Sequence, residues 1–219
     1  MFRGVEKIIK VIFLGAIIFF AAYLLNSFRE SLLLKKVIER LTAESMIAEV
    51  VVADLRTDYH TGKAYTTIKF LEYDTLGKAL PPKYFTFSSD ILQFQSLVIR
   101  FDDFYIKKGD PLKGKSAYLF MKVFALKDDG AEVYEINKIN EVPSGYRVGR
   151  QVTAFENRLW RKFWEYALSP QEAKRIGIKN AQIEAPGTKF VPGMLYTLKI
   201  EHDGGMRVDV SALPRVHAE

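Results

Sequence analysis

The stretch Val11 to Phe28, VIFLGAIIFFAAYLLNSF, is a run of 18 residues without a charged side chain. As an α-helix it would rise about 1.5 Å per residue and extend about 27 Å, close to the roughly 30 Å of the bilayer hydrocarbon core. Lys10 and Arg29 bracket the run, and their side chains can reach outward to the lipid head groups. The stretch predicts a single transmembrane helix whose partner is the lipid bilayer.

A cleaved signal peptide and a buried soluble helix fit this stretch less well. A signal peptide has an apolar region of about 7–15 residues that ends in a small-x-small site. The one pair of small residues here, Ala21-Ala22, places Phe20 three positions before the cut. A buried helix of a soluble core can also be apolar on all sides. We therefore predict a lasting signal-anchor and keep the buried helix as the alternative.

Basic residues stand on both sides of the predicted span: Arg3, Lys7 and Lys10 before it, and Arg29, Lys35, Lys36 and Arg40 after it. We expect the short tail, residues 1–10, to stay in the cytoplasm, because a tail with three basic side chains is more often retained than translocated across the membrane. Long following domains cross a membrane largely regardless of their charge. This orientation places the bulk of the chain outside the cytoplasm, in the periplasm if the source has two membranes.

Length and composition limit the nature of the chain beyond the anchor. The 219 residues leave roughly 170 after the anchor and its connecting segment, enough for one domain with its own core. Of the net charge of +6, the first 45 residues contribute +3, from seven Lys or Arg against four Glu, and the rest is spread without dense basic runs. We therefore expect no nucleic-acid partner. The lack of cysteine excludes disulfides and thiolate metal sites.

Residues 29–45 continue as an amphipathic helix, because apolar residues recur at intervals of three and four. These are Leu34, Val37, Ile38 and Leu41. The stripe is shorter than three heptads, so it does not demand a coiled coil. A stalk that forms a homo-oligomer, a helix packed onto its own domain, and a helix lying at the lipid surface all remain open.

Residues 46–214 are predicted to form one β-rich domain, followed by a tail at 215–219. Apolar residues from Met46 onward alternate with a period of two, and a turn at residues 58–62 predicts a hairpin. Further strands are expected at residues 66–73, 84–87, 92–101, 116–126 and 132–139, with a hairpin turn at 128–130. The expected fold class is α+β, with a mostly antiparallel sheet that begins as a meander.

A helical pair interrupts the strands. Thr153 and Glu156 form a capping box, and a broad apolar stripe follows it. The stripe consists of Phe155, Leu159, Trp160, Phe163, Trp164, Ala167 and Leu168. A second capping box begins at Ser169, and the short helix after it is expected to end at Gly177. We expect this pair to cover a sheet and both tryptophans to belong to the core rather than to a membrane interface.

The last two strands alternate cleanly, with Tyr196, Leu198 and Ile200 before Asp203-Gly204-Gly205 and Met206, Val208 and Val210 after it. A two-residue loop would pair Ile200 with Arg207, an apolar side chain with a charged one. A three-residue loop instead pairs Ile200 with Val208 and Lys199 with Asp209. We predict the three-residue loop, with one glycine in the left-handed conformation.

One motif suggests nucleotide binding. Gly109 to Ser116, GDPLKGKS, matches the phosphate-cradling pattern G-x-x-x-x-G-K-[ST], with Gly109, Gly114, Lys115 and Ser116 as candidate residues. The chemistry requires a helix after the loop, so that backbone N–H groups point at the phosphates. The sequence after Ser116 is aromatic and favours a strand. We therefore interpret the match as a basic turn between strands and expect no cofactor.

Other candidate sites are weak. His60, His202 and His217 lack the i, i+4 spacing of helical metal ligands, so no metal site is expected. The adjacent pairs of aspartates do not converge from different elements, as catalytic carboxylates do. The sequence contains no G-x-S-x-G nucleophile elbow. The irregular stretch 185–193 has turns around Phe190, Val191 and Pro192. It is either a partner-binding loop with Phe190 exposed or a rigid connection.

The sequence thus predicts a single-pass, membrane-anchored extracytoplasmic scaffold or accessory subunit of an envelope or membrane protein complex, without catalytic activity. Its partners would be other membrane or envelope proteins. Anchor, short helix and β-rich body occur together in many envelope assembly and secretion proteins, although arrangement alone is analogy. The alternative is a membrane-tethered enzyme acting on lipid or cell-wall material through a cleft. A nucleotide-binding protein that uses Gly109 to Ser116 is the last alternative.

Overall fold

A long N-terminal helix leads into a body of two antiparallel sheets with a further helix packed on it, which confirms the predicted α+β, mostly β, fold class. The computed structural model describes residues 2–41, 46–60, 62–101, 115–128, 130–169, 171, 178–184, 187–200 and 205–214. The elements are α1 (Phe2–Arg40), β1 (Met46–Thr57), β2 (Ala64–Glu72), β3 (Lys83–Phe87), β4 (Ile91–Phe101), β5 (Ser116–Lys127), β6 (Gly130–Glu135), a 3-10 helix (Ser144–Tyr146), α2 (Ala154–Leu168), β7 (Ile178–Glu184), β8 (Thr188–Lys189), β9 (Met194–Ile200) and β10 (Met206–Ala212).

Helix α1 contains both the predicted transmembrane segment, 11–28, and most of the predicted connecting helix, 29–45. Its apolar part is exposed: Phe19 is 76% accessible and Phe28 63%. By length and composition it is the one helix among the described residues that could cross a membrane. The helix ends at Arg40, earlier than predicted, and residues 42–45 lie outside the described part of the chain.

The last turn of α1 is part of the core of the body. Val37, Ile38 and Leu41 are all less than 9% exposed. The Leu41 carbonyl accepts a hydrogen bond from the first amide of β5, at 3.0 Å. About three turns earlier on the helix, Glu30 forms an ion pair with Arg158 of α2, also at 3.0 Å. The end of this helix is therefore packed onto its own domain, which is one of the three placements left open by the sequence.

The body is a sandwich of two sheets. The first sheet has the order β10-β9-β1-β2-β3, which includes the predicted meander, and the second has the order β6-β5-β4-β7, with β8 paired to β4. Phe70 of β2 joins them: its ring lies 5.8 Å from that of Phe94 on β4 and 5.6 Å from that of Phe120 on β5. Such aromatic contacts between facing sheets bury large areas of apolar surface.

The second sheet is covered on its other face as well. Leu97, Val98 and Ile99 are consecutive and all at most 2% exposed, which requires cover on both faces of β4. Trp160 and Trp164 of α2 are each 1% exposed and belong to the same core. Helix α2 begins at the predicted capping box. Both tryptophans are therefore core residues, as predicted.

The register of the last hairpin differs from the prediction. Ile200 pairs with Met206 and Leu198 with Val208, two residues away from the predicted pairs. Arg207 therefore lies opposite Lys199 and donates instead to Asp209 on its own strand, at 3.0 Å. A shift of two residues leaves every side chain on the same face, so apolar alternation could not distinguish these two registers.

Two strands were not predicted. Strand β7 pairs with β4 along its length, and β8 pairs Thr188 with Leu92. Strand β8 lies inside the stretch that the sequence indicated to be irregular. Apart from Gln171, the predicted short helix after Ser169 lies outside the described residues.

Phe70→Ala should destabilise the body by about 3 to 5 kcal/mol, because it removes the ring that joins the two sheets and leaves a cavity. Chemical unfolding of the full chain in detergent measures this loss of stability. Tyr84→Ala removes an aromatic ring that is 59% exposed on the neighbouring strand β3. It should change the stability by no more than about 0.5 kcal/mol. Equal losses in the two variants would contradict the assignment of Phe70 to the core.

Candidate functional site

A cavity of about 1270 Å³ opens between the end of α1, the segment after β2 and the segment after the 3-10 helix. Phe70 and Glu72 are its buried lining residues and mark its inner end, and the rest of the lining is partly buried or exposed. The lining comprises Arg40, Phe70, Glu72, Asp74, Leu76, Lys78, Ala79, Leu80, Pro81, Pro82, Lys83, Ser144, Arg147, Val148, Gly149 and Arg150. The described part of the chain thus contains a cleft of ligand size.

Glu72 is placed in the interior by the alternation of β2. Ile68, Phe70 and Glu72 are every second residue, and the face that they share is the buried one. Glu72 is 3% exposed, and its Oε2 atom has no hydrogen-bond partner among the described residues. A buried carboxyl with an unpaired oxygen is costly, so this residue stands out from the apolar core.

Burial raises the pKa of Glu72 from its ordinary 4.5 to about 7. The ammonium of Lys83 and the side-chain amide of Asn137 act in the opposite direction and limit the rise. Burial also lowers the pKa of Lys83; Glu72 opposes this effect and the guanidinium of Arg147 adds to it. The inner end of the cavity therefore holds a carboxyl that can change its charge near neutral pH.

The rim is held by two ordered segments. After β2, Asp74 accepts hydrogen bonds from the amides of Leu76 and Lys78, both at 2.9 Å, and Gly77 supplies the positive φ of +76° that the turn needs. These bonds place Lys78 at the rim. Asp74 also lies 3.8 Å from Arg40, so the carboxylate of Asp74 and the guanidinium of Arg40 neutralise each other.

The opposite side of the rim is anchored by Tyr146, which is fully buried. Its hydroxyl accepts from the amide of Tyr118 at 2.8 Å. The amide of Val148 donates to Glu156 at the start of α2, at 3.2 Å. Arg147 and Arg150 flank this bond and are exposed. Neither they nor Lys78 form an ion pair with any residue that the structure describes.

This arrangement can bind a polar ligand and can exchange a proton with it. Three cationic side chains at the rim attract an anion, and the Glu72 carboxyl can donate or accept a hydrogen bond deeper in the cavity. A carboxyl that titrates near pH 7 is also suited to general acid–base chemistry, provided that a reacting group comes within hydrogen-bond reach.

Of the nucleotide-binding motif, the structure describes Lys115 and Ser116. Ser116 begins strand β5, which is antiparallel to β4, so a strand and not a helix follows the motif. The Ser116 amide donates to the Leu41 carbonyl. Gly109 and Gly114 lie outside the described residues. The strand context supports the interpretation of the match as a connection between neighbouring strands.

Of the two alternatives for this stretch, the partner-binding loop had Phe190 exposed, and this placement of Phe190 is wrong. Phe190 is 2% exposed, and its ring centroid lies 4.2 Å from that of Tyr196. The Tyr196 hydroxyl accepts from the Val191 amide at 2.8 Å and so fixes the backbone. The neighbours Val191 and Pro192 are exposed. Phe190 therefore holds this segment onto the body, while Val191 and Pro192 stay accessible to solvent.

Of the three histidines, the structure describes His60. His60 lies exposed in the turn between β1 and β2, and His202 and His217 fall outside the described residues. Within the part of the chain that the structure describes, no three His, Asp or Glu side chains could together hold a metal ion.

Glu72 was not among the predicted site residues, although a signal was present. In the strand predicted at residues 66–73, Glu72 shares a face with Ile68 and Phe70, because the three residues are spaced two apart. The pattern therefore placed a carboxylate on the inward face. The contribution of Lys78, Arg147 and Arg150 could not be recognised, because their segments come together only through the fold.

Glu72→Gln should remove a pH dependence of stability. The folded chain holds the Glu72 proton more tightly than the unfolded chain, so this stabilisation is present below pH 4.5 and is lost as the pH rises through about 7. The loss amounts to about 3 kcal/mol. In urea unfolding of the full chain, Glu72→Gln should match the wild type near pH 4.5 and exceed its stability at pH 8.

Glu135→Gln is the matched control, because Glu135 lies exposed on β6. The difference in stability between Glu135→Gln and the wild type should be the same near pH 4.5 and at pH 8. A Glu72→Gln variant that is no more stable than the wild type at pH 8 would contradict the burial of an ionisable carboxyl.

Comparison with known proteins identifies no relative. No family model, no curated protein and no solved structure matches the chain.

Proposed function

We propose that this protein is a single-pass, membrane-anchored scaffold or accessory subunit of an envelope or membrane protein complex. One observation carries the proposal: α1 is a single continuous helix with an exposed apolar part, and its last turn is built into the core of the body. A body joined to its anchor in this way is held at a fixed height and in a fixed orientation. Such an arrangement suits a subunit that presents a surface to neighbours in the same membrane.

The distance from the anchor to the body is short. From Phe28 to Arg40 the helix rises about 18 Å, and the Glu30–Arg158 ion pair lies near the start of that segment. The body therefore stands close to the lipid head groups. Partners in this proposal are membrane or envelope proteins of comparable height, or a second copy of the chain.

The orientation in this proposal places residues 1–10 in the cytoplasm and the body outside it, because of the basic residues Arg3, Lys7 and Lys10. Protease added to intact spheroplasts should then digest the body from Met46 onward. Complete protection, with cleavage only after permeabilisation, would reverse the orientation. A cytoplasmic marker protein that stays intact serves as the control for spheroplast integrity.

A second candidate function is an enzyme that acts on lipid or cell-wall material. The observation that favours it is the Glu72 carboxyl beside Lys83, with a pKa raised by burial to about 7, at the inner end of a cleft. Such a carboxyl can serve as a general acid or base. An enzyme of this type would need no stable protein partner.

Affinity isolation from detergent-solubilised membranes separates the two candidates. The tagged full chain should retain a membrane partner, or a second copy of itself, in a fixed ratio. A matched chain with Val191→Asp, altered at an exposed position of the segment before β9, tests whether this segment contributes to the contact. Isolation of the wild-type chain as a monomer without any partner would count against the scaffold and favour the enzyme.

A further inference from the structure

We propose that the cavity between α1, the β2–β3 connection and residues 144–150 is a binding site for a phosphate ester that carries hydroxyl groups, with the phosphate at the rim and a hydroxyl at Glu72. This site does not depend on whether the protein has a stable protein partner. The ligand class follows from three properties of the lining.

The charge at the rim selects an anion. Lys78, Arg147 and Arg150 are exposed, line the cavity and have no ion-pair partner among the described residues. The one carboxylate beside them, that of Asp74, is already engaged by Arg40 and by two backbone amides. Two guanidinium groups and an ammonium offer more hydrogen-bond donors than a carboxylate can accept, so they match the oxygens of a phosphate better, and guanidinium binds phosphate through paired hydrogen bonds.

The inner end of the cavity selects a hydroxyl. The Oε2 atom of Glu72 is buried and has no partner among the described residues, which leaves a hydrogen-bonding position open to a ligand. A hydroxyl can donate to an ionised carboxyl and accept from a protonated one. An amine would instead be repelled by Lys83 and by the cations of the rim. Glu72 therefore favours a polyol over an amino compound.

The size and walls of the cavity fit such a compound. About 1270 Å³ accommodates a ligand larger than a bare phosphate ion. Leu80, Pro81 and Pro82 belong to the lining, so apolar surface is available to the carbon skeleton of a polyol. Either a lipid head group or a soluble phosphate ester could supply this chemistry.

The test uses the full chain in phosphatidylcholine nanodiscs and isothermal titration calorimetry, with glycerol 3-phosphate, inorganic phosphate and glycerol as probes. Glycerol 3-phosphate should bind saturably and more tightly than inorganic phosphate, and glycerol should not bind. Arg147→Ala combined with Arg150→Ala should weaken binding of glycerol 3-phosphate about tenfold or more, because two charged hydrogen bonds are lost. Both residues are exposed, so the fold should be kept.

The matched control combines Arg56→Ala with Arg161→Ala, which removes the same charge from exposed positions outside the cavity. Its affinity should stay within about twofold of the wild type, since distant exposed charges are largely screened at ordinary salt. Glu72→Leu should bind inorganic phosphate as the wild type does but lose the preference for glycerol 3-phosphate. Absence of saturable binding, or an equal loss in the control, would overturn the proposal.

Nanodiscs that contain phosphatidylglycerol distinguish the two sources of the ligand. If a lipid head group is the ligand, these nanodiscs should lower the apparent affinity for glycerol 3-phosphate in the wild type. An unchanged affinity assigns the site to a soluble ester. Both results support the phosphate site.

Discussion

The two-residue period of β2 is the constraint on which the rest of the body depends. Once Phe70 is turned inward to meet Phe94 and Phe120, every second residue of the strand must face the same way. The contact that closes the sandwich therefore also forces Glu72 inside. While β2 keeps its regular alternation, Glu72 cannot be exposed with Phe70 buried. The stability of the core and the polarity of the cavity are set by the same strand.

Helix α1 takes part in both regions of the molecule. Its final turn fills the core through Val37 and Leu41, and Arg40, between them, lines the cavity. Because Arg40 also donates to the Gly145 carbonyl, the helix is connected to the segment that carries Arg147. A ligand that moved this segment would act directly on the end of α1. The proposed site and the proposed anchor are thus mechanically linked.

Signals that depend on neighbouring residues predicted much of this fold: the apolar run 11–28 and the capping box at Thr153 are both helical as expected. Features that depend on contacts between residues far apart in the sequence could not be predicted from such local signals. The register of β9 and β10 has two solutions with the same apolar faces, and the cavity requires knowledge of which segments meet. Phe190 lies between prolines and glycines, which indicated an exposed loop, but the hydroxyl of Tyr196 fixes the backbone there and the ring is buried.

The contribution of α1 to the core has a consequence for how the protein is made and handled. Removal of every residue up to Met46 would take away Val37, Ile38 and Leu41 and uncover the apolar surface against which they pack. A water-soluble version of the body has to retain the polar end of the helix from about Glu30.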